Sequence, residues 1–180
     1  MVDTIRYATG SSSLGPFVAA ASGRGLAMVA FGALSEAQVQ ARFPDAEVIE
    51  DAALLAGTVA CLSELIERPE RPVDLALDLR GAPFEVQVWQ ALRAIPVGTT
   101  ATYGAIAARL GAPRLAREVG EACAANPLAV VVPCHRVVKK DGSIAGYRWG
   151  TRRKRALLER EHKAMLLQPF AAAPHQTAST

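Results

Sequence analysis

A chain of 180 residues with 51% hydrophobic residues and a formal net charge of +3 is long enough for one sizeable domain or two small ones, and too apolar to be disordered. No apolar run approaches the ~18 residues of a membrane helix, and residues 1–10 lack the layout of a secretory signal. The three cysteines, Cys61, Cys123 and Cys134, are odd in number and lack a Cys-x-x-Cys pair. They therefore predict free thiols in a cytoplasmic protein, without a disulfide framework or a zinc site.

The first part of the chain predicts an antiparallel meander of strands followed by helices. Three apolar segments separated by Gly/Ser clusters predict the strands, at residues 4–8, 17–21 and 26–31. Ser35 and Asp51 are typical N-caps of two following helices, and alternation over residues 73–79 predicts a half-buried strand. Composition and charge both change at Gly81-Ala82-Pro83. We therefore expect an α/β N-terminal domain over residues 1–82.

The second part predicts a mostly helical domain over residues 83–167. Its helices are bounded by Gly or Pro and are predicted at residues 84–95, 103–110, 115–126 and 152–167. The second and third are joined by a turn at Gly111 in a helix-turn-helix pattern, which an ordinary helical hairpin would also produce. A β-branched run at residues 128–132 predicts a buried strand or extended segment that ends at Pro133. The polar, Ala-rich residues 168–180 predict a disordered tail.

Charge is divided unevenly between the two parts. Residues 1–83 carry 6 basic and 11 acidic side chains, a balance of −5, whereas residues 84–180 carry 14 and 6, a balance of +8. A basic second part favours contact with a polyanion such as nucleic acid. The alternative is that the basic run at residues 152–155 is the solvated face of a helix.

The motif that carries chemistry is Pro133-Cys134-His135-Arg136-Val137, directly after the buried run. A cysteine there would ordinarily be inert, because burial in apolar surroundings raises the thiol pKa. The neighbouring histidine changes this, since a base beside a thiol can take its proton and leave a nucleophilic thiolate. A carboxylate that orients His135 would complete the relay, and Glu161 on the last predicted helix is the candidate.

This motif and its surroundings resemble the O6-alkylguanine-DNA alkyltransferases, and most closely the C-terminal alkyltransferase domain of the bacterial Ada protein. The resemblance runs from about Phe84 to Glu161 and more loosely back to the strand-rich part. Besides the motif, it is carried by Leu79-Arg80-Gly81, Tyr103, Arg117, Asn126-Pro127 and Gly146-Tyr147. It implies a ribonuclease-H-like N-terminal domain, with antiparallel strands plus helices. A mostly helical, winged-helix-like domain with a helix-turn-helix would follow.

The resemblance also implies a reaction. Cys134 would accept an alkyl group from O6-alkylguanine in double-stranded DNA and keep it, so that one molecule repairs one lesion without metal or cofactor. Through a bound water His135 would take the thiol proton, and Glu161 would orient His135. Asn126 would hold the active-site turn. Tyr103 would help to rotate the nucleotide out of the duplex, as access to a stacked base requires, and would protonate the leaving guanine.

For DNA binding, the resemblance implies that the helix-turn-helix lies in the minor groove and that Arg117 fills the gap left by the rotated base. A helix in that groove needs small residues facing the DNA. The other predicted DNA contacts are Tyr103, Ala116, Gly120 and Arg136. The predicted substrate pocket consists of Val137, Tyr147, Arg148 and Trp149. We expect the Trp149 indole to narrow the mouth of this pocket.

Glu118 departs from the family pattern, because it puts a carboxylate next to the expected DNA face. It would either be repelled by the phosphates or pair with Arg114 or Arg136. The cysteine-rich zinc domain of Ada has no counterpart here, so we expect repair and not gene regulation. We also expect the protein to be a monomer. The sequence leaves open whether O4-alkylthymine is also a substrate.

Two other classes of protein fit parts of the pattern. A Cys-His hydrolase would need turnover and an oxyanion hole. A non-catalytic helix-turn-helix DNA-binding protein would use Cys134 only as a structural residue.

Overall fold

The computed structural model describes residues 3–71 and 73–167, and the tail predicted for residues 168–180 lies outside them. The strands are β1 (Asp3–Ser12), β2 (Gly15–Ser22), β3 (Gly25–Phe31), β4 (Ala46–Glu50), β5 (Ala101–Thr102) and β6 (Val137–Val138). The α-helices are α1 (Glu36–Arg42), α2 (Ala52–Glu67), α3 (Pro83–Arg93), α4 (Tyr103–Arg109), α5 (Ala116–Ala125) and α6 (Thr151–Leu167). None of the described helices combines the length and apolarity needed to cross a membrane.

The first four strands form one mixed sheet in the order β3-β2-β1-β4. The predicted meander is confirmed, since β1 pairs antiparallel with β2 and β2 with β3. Strand β4, which was not predicted, pairs parallel with β1 and opposes Ile5 to Val48. The strand predicted over residues 73–79 is wrong. It is reduced to one bridge between Leu77 and Leu26 on the edge of β3, where Gly25 has a φ of +141° and no Cβ to hold the chains apart.

The predicted helices are confirmed, with ends shifted by one or two residues. Ser35 caps α1 in a capping box with Gln38. The Asp51 side chain accepts from the backbone N–H of Leu54 at the start of α2, at 2.9 Å. Thr102 caps α4 in the same way. These local signals fix where α1, α2 and α4 begin.

The larger of two hydrophobic clusters joins the sheet to the helices on both sides of Gly81. It contains Phe17 of β2, Leu62 of α2, Trp89 of α3 and Leu157 of α6, all almost fully buried. The smaller cluster, which includes Val39 of α1, lies on the other face of the sheet. Because the larger core is shared, the N-terminal half (residues 3–82) packs directly on the C-terminal half (residues 83–167), including α6.

Candidate active site and DNA interface

The segment that leads to Cys134 turns where the sequence predicts a strand. Leu128 forms a parallel bridge with Val29 at the edge of β3. The chain then leaves the sheet in a γ-turn, because the N–H of Val131 donates to the carbonyl of Ala129 at 2.7 Å. Val130, at the centre of this turn, has a φ of +67°. The strand prediction for residues 128–132 is therefore wrong beyond Leu128.

Asn126 holds this irregular segment together from inside. It follows the last turn of α5 and is fully buried. Its Oδ1 accepts from the N–H of Leu128 at 2.9 Å, and its Nδ2 donates to the carbonyl of Val132, also at 2.9 Å. The same Nδ2 lies 3.2 Å from the Sγ of Cys134. One side chain thus fixes both the turn and the thiol.

Cys134 begins a single 3₁₀ turn (Cys134–Arg136) and is 4% exposed. Burial raises the pKa of its thiol, and the Asn126 hydrogen bond and the charges of Lys154 and Arg148 offset this only in part. The resting side chain is therefore a neutral thiol. Nucleophilic chemistry at this sulfur requires a base.

His135 is fully buried, and its Nε2 lies 2.7 Å from Oε1 of Glu161. Because an ionised carboxylate only accepts hydrogen bonds, Nε2 carries the proton and Nδ1 keeps its lone pair. Nδ1 is buried and has no hydrogen-bond partner in the described part of the chain. Burial lowers the pKa of His135 despite the opposing effect of Glu161. The ring is thus a neutral base with one free acceptor nitrogen.

The Glu161 carboxylate accepts hydrogen bonds from other groups besides His135. The Nε of Arg136 lies 3.0 Å from Oε2, and the N–H of Gly98 donates to the same oxygen at 3.1 Å. Gly98 has a φ of +74°, and a side chain there would collide with Met165. Burial alone would raise the pKa of Glu161, but the hydrogen bonds and charges of His135 and Arg136 lower it to about 2.

Arg136 requires a correction. Its guanidinium is buried, binds Glu161 and donates to the carbonyl of Ile95. Only a tenth of its side chain is exposed, and its guanidinium nitrogens are engaged by Glu161 and Ile95. The structure therefore gives Arg136 a place inside the protein and not on the predicted DNA face.

Lys154 was missed by the sequence analysis. It is 1% exposed on α6, and its Nζ donates to the carbonyl of Val137 at 2.6 Å. Burial lowers the pKa of Lys154. The sequence did hold a signal, because Lys154, Leu157 and Glu161 recur at helical spacing and are all buried. Within the basic run of residues 152–155, nothing in the composition distinguished Lys154 from its solvated neighbours.

A cavity of about 320 Å³ opens above the thiol. Its lining residues are Tyr103, Gly120, Cys123, Ala124, Cys134, Gly146, Tyr147 and Arg148. Two of the predicted pocket residues, Tyr147 and Arg148, are thus present. Val137 and Trp149 are corrections, because neither lines the cavity. Val137 is fully buried, and the Trp149 indole packs edge-on against the Tyr147 ring, with centroids 5.2 Å apart.

Helix α5 carries three of the five predicted DNA contacts, Ala116, Arg117 and Gly120. The Arg117 side chain is 87% exposed and pairs with Glu121 at 3.1 Å. Gly120 faces the Tyr103 ring, which would lie 3.7 Å from a Cβ added there. Ala116 is partly buried against the core. Glu118, in the first turn of the helix, is partly exposed.

Comparison with known proteins decides the family. The family model described as "6-O-methylguanine DNA methyltransferase, DNA binding domain" matches residues 83–163. The chain is 40% identical over 157 residues to a methylated-DNA–protein-cysteine methyltransferase of Mycobacterium tuberculosis, and the match covers 87% of this chain and 92% of that one. The chain belongs to the methylated-DNA–protein-cysteine methyltransferase family.

Two further matches extend this result. The chain is 41% identical over 160 residues to the bifunctional transcriptional activator/DNA repair enzyme Ada of Escherichia coli. That match covers 87% of this chain but 45% of Ada, so the chain spans less than half the length of this methyltransferase relative. The crystal structure of M. tuberculosis OGT in complex with DNA matches with a TM-score of 0.77 and 38% identity, covering 88% of this chain and 94% of that chain.

Proposed function

We propose that this protein repairs DNA by moving an alkyl group from the O6 atom of guanine to Cys134 in a single, irreversible turnover. The observation that supports this most directly is the buried thiol on the cavity next to a histidine whose Nδ1 is free and whose Nε2 is held by Glu161. Such an arrangement suits general-base activation of a nucleophile. The name and DNA complex of the M. tuberculosis relatives support the same reaction.

The proposed reaction begins with proton transfer. The Cys134 proton passes through one bridging water to Nδ1 of His135, and the thiolate attacks the alkyl carbon. The carbon–O6 bond breaks, its electron pair stays on the guanine, and Tyr103 supplies the proton that the leaving base needs. Burial raises the pKa of Tyr103, which keeps its phenol protonated until then. The proton held by His135 then restores the phenol.

The product explains why one turnover ends the reaction. A thioether has no good leaving group, so Cys134 stays alkylated. The Lys154 ammonium and the Asn126 amide offset part of the rise that burial causes in the pKa of Cys134, which means that they stabilise the thiolate. Displacement by a thiolate needs no metal or cofactor.

The proposed partner is duplex DNA from which the damaged nucleotide has been rotated into the cavity. A stacked guanine hides its O6 atom, and opening the pair costs about a few kcal/mol. Arg117 is exposed and can take the vacated place, because its planar guanidinium stacks on bases.

The finer fold assignment is also a proposal. The sheet order β3-β2-β1-β4, with β4 parallel to β1, supports a ribonuclease-H-like N-terminal domain over residues 1–82. The adjacent α4 and α5, together with the β5–β6 pair, support a winged-helix-like domain over residues 83–167. Three free cysteines support a reducing, cytoplasmic setting.

Intact-mass spectrometry after incubation with a duplex containing O6-methylguanine tests the proposal. We expect one added methyl group per chain, mapped to Cys134 by peptide analysis. Cys134→Ser should add none while still binding the duplex, and Cys61→Ser, altered on α2, should behave as the wild type. Repeated turnover would indicate a hydrolase, and duplex binding without any methyl transfer would indicate a non-catalytic DNA-binding protein.

A further inference from the structure

Helix α6 carries two pairs of adjacent residues, Arg153-Lys154 and Arg160-Glu161, and the two members of each pair point to different parts of the molecule. Lys154 and Glu161 face the active-site segment and bind Val137 and His135. Arg153 and Arg160, each one position earlier, reach the N-terminal half. The two pairs are seven residues apart, which is close to two helical turns. One helix therefore connects the relay to the opposite half of the molecule.

Arg160 makes the more extensive of these contacts. Its Nη1 donates to the carbonyl of Ile66 at the end of α2, at 2.8 Å, and lies 3.3 Å from Glu67. Its Nη2 donates to the Oγ of Ser13 in the β1–β2 turn. Ser13 in turn donates to Glu67 from its backbone N–H at 2.7 Å and from its hydroxyl at 2.9 Å. We call Ser13, Glu67 and Arg160 the clamp.

The clamp is a closed set of polar contacts. Burial would raise the pKa of Glu67, but the two Ser13 hydrogen bonds and the Arg160 charge lower it overall, so the carboxylate is ionised. Ser13 Oγ donates to Glu67 and accepts from Arg160, which leaves each group a partner of the right kind. These contacts, at the protein surface, join the two halves in the relative position that the structure shows.

Arg153 contacts the β1–β2 turn at a second point. Its Nε donates to the carbonyl of Leu14 at 2.9 Å, and its Nη1 donates to the carbonyl of Trp149, also at 2.9 Å. Its guanidinium lies over the Phe31 ring, 5.1 Å from the centroid. The β1–β2 turn therefore contacts α6 at two sites, two turns apart along the helix. Two such contacts restrict both the rotation of the helix and its slide along its axis.

The opposite face of α6 is sensitive to that restriction. The contacts of Glu161 with His135 and of Lys154 with Val137 are 2.7 and 2.6 Å long. A displacement of about 1 Å takes a hydrogen bond of this length outside its effective range. The relay thus depends on a helix position that the N-terminal half helps to set.

We propose that Ser13, Glu67 and Arg160 are positioning residues for alkyl transfer, which hold α6 so that Glu161 orients His135. This inference rests on the proposed function of Cys134. It gives the N-terminal half a part in the reaction: none of the clamp residues touches the cavity, and they act through α6. Displacements of about 1 Å by remote substitutions can cost ~10²-fold in rate.

The test compares Arg160→Ala and Ser13→Ala with the wild type in single-turnover methyl transfer at saturating duplex, across a pH series. We expect Arg160→Ala to slow transfer by about 10- to 100-fold, with its pH profile displaced to lower pH, because a weaker contact with Glu161 lowers the pKa of His135, the base. Ser13→Ala should change both in the same direction but less. Arg71→Ala is the control: it breaks an Arg–Glu pair within the N-terminal half, Arg71–Glu64 at 2.6 Å. It should change neither the transfer rate nor the pH profile.

A merely structural clamp would lower the melting temperature of Arg160→Ala yet leave the transfer rate and pH profile as in the wild type, which would overturn the inference. If Arg160→Ala does not fold, Ser13→Ala and Glu67→Gln provide the same comparison. NMR titration of the His135 ring without DNA separates this inference from the proposed function: loosening Glu161 should lower the His135 pKa, whether or not methyl transfer occurs.

Discussion

At the scale of single residues, Glu161 does more than orient a histidine. It accepts from Arg136 and from the backbone of Gly98 as well as contacting His135, and all of these groups lie in the interior or at its edge. The buried arginine balances the buried carboxylate. A pair of this kind contributes modestly while complete, but losing one partner is costly because the other charge stays buried.

Glu161→Gln should therefore reduce both activity and stability. Loss of the charge that holds His135 should slow methyl transfer by ~10²–10⁴-fold, the range typical of general-base assistance. Leaving Arg136 without its counter-charge should lower the free energy of unfolding by about 3–5 kcal/mol. Single-turnover assays and urea unfolding measure the two effects. Glu159→Gln, exposed on the same helix, is the control, and a wild-type transfer rate in Glu161→Gln would remove Glu161 from the relay.

Stability in acid provides a second measure of Glu161. Its pKa falls from 4.5 to about 2 on folding, so its contribution is complete above about pH 4.5 and is lost as the pH falls toward 2. A shift of this size corresponds to on the order of 3 kcal/mol. Urea unfolding across this range should show wild type losing more stability than Glu161→Gln. Other shifted carboxylates, such as Glu67 and Asp78, remain in both proteins. Parallel curves would contradict the prediction.

At the scale of elements, the γ-turn before Cys134 stores strain. A β-branched residue at positive φ is disfavoured, at a cost of about 1–3 kcal/mol, and Val130 is held there at +67° in the turn that Asn126 braces. The strain is tolerated because the Asn126 hydrogen bonds on either side of Val130 hold the turn, which brings the thiol to the cavity. An unbraced segment of this composition would prefer to continue as a strand.

Val130→Gly and Val132→Gly separate strain from packing. Both valines are buried, and both substitutions remove the same side chain and add the same backbone freedom. Only Val130 has positive φ, so Val130→Gly should destabilise the protein less, by about 1–3 kcal/mol. Urea unfolding of both variants measures the difference. Equal losses would mean that Val130 carries no significant strain.

Elements governed by neighbouring residues were predictable from the sequence. The caps at Ser35, Asp51 and Thr102 lie within a few residues of the helices they begin, and the structure has those helices. Strand β4 was missed because its partner, β1, lies some forty residues earlier and its exposed and buried positions are mixed. The run after Leu128 has strand composition, but a side chain outside the run, that of Asn126, sets its turns.

The same distinction applies to the candidate site. A five-residue motif was enough to select Cys134 and His135, and the structure places Glu161 against the histidine as the sequence analysis expected. Arg136 was predicted as a DNA contact and Lys154 was not singled out, since such residues are seldom fully buried without a partner. Their partners, Glu161 and the carbonyl of Val137, come together only in the folded chain.

At the scale of the whole molecule, charge is separated between the part that supports the site and the part that carries it. The balances of −5 for residues 1–83 and +8 for residues 84–180 orient the basic part toward a polyanion. Glu118 opposes this field on the helix that exposes Arg117. The Arg136 guanidinium is bound to Glu161 and is therefore not available to neutralise the Glu118 carboxylate. As an acidic residue in the first turn, Glu118 also stabilises α5 by about 0.3–1 kcal/mol.

Glu118→Gln should therefore tighten binding to undamaged duplex, with at most a small loss of helix stability. The effect should be a few-fold at low salt and should fade toward physiological salt, where the Debye length falls from about 30 Å at 0.01 M to about 8 Å. Titration against one duplex at two salt concentrations measures it. Glu159→Gln makes the same charge change on α6 and should leave affinity nearly unaltered. Equal affinities of Glu118→Gln and wild type at low salt would place Glu118 outside the field of the phosphates, and the carboxylate would then serve only the start of its helix.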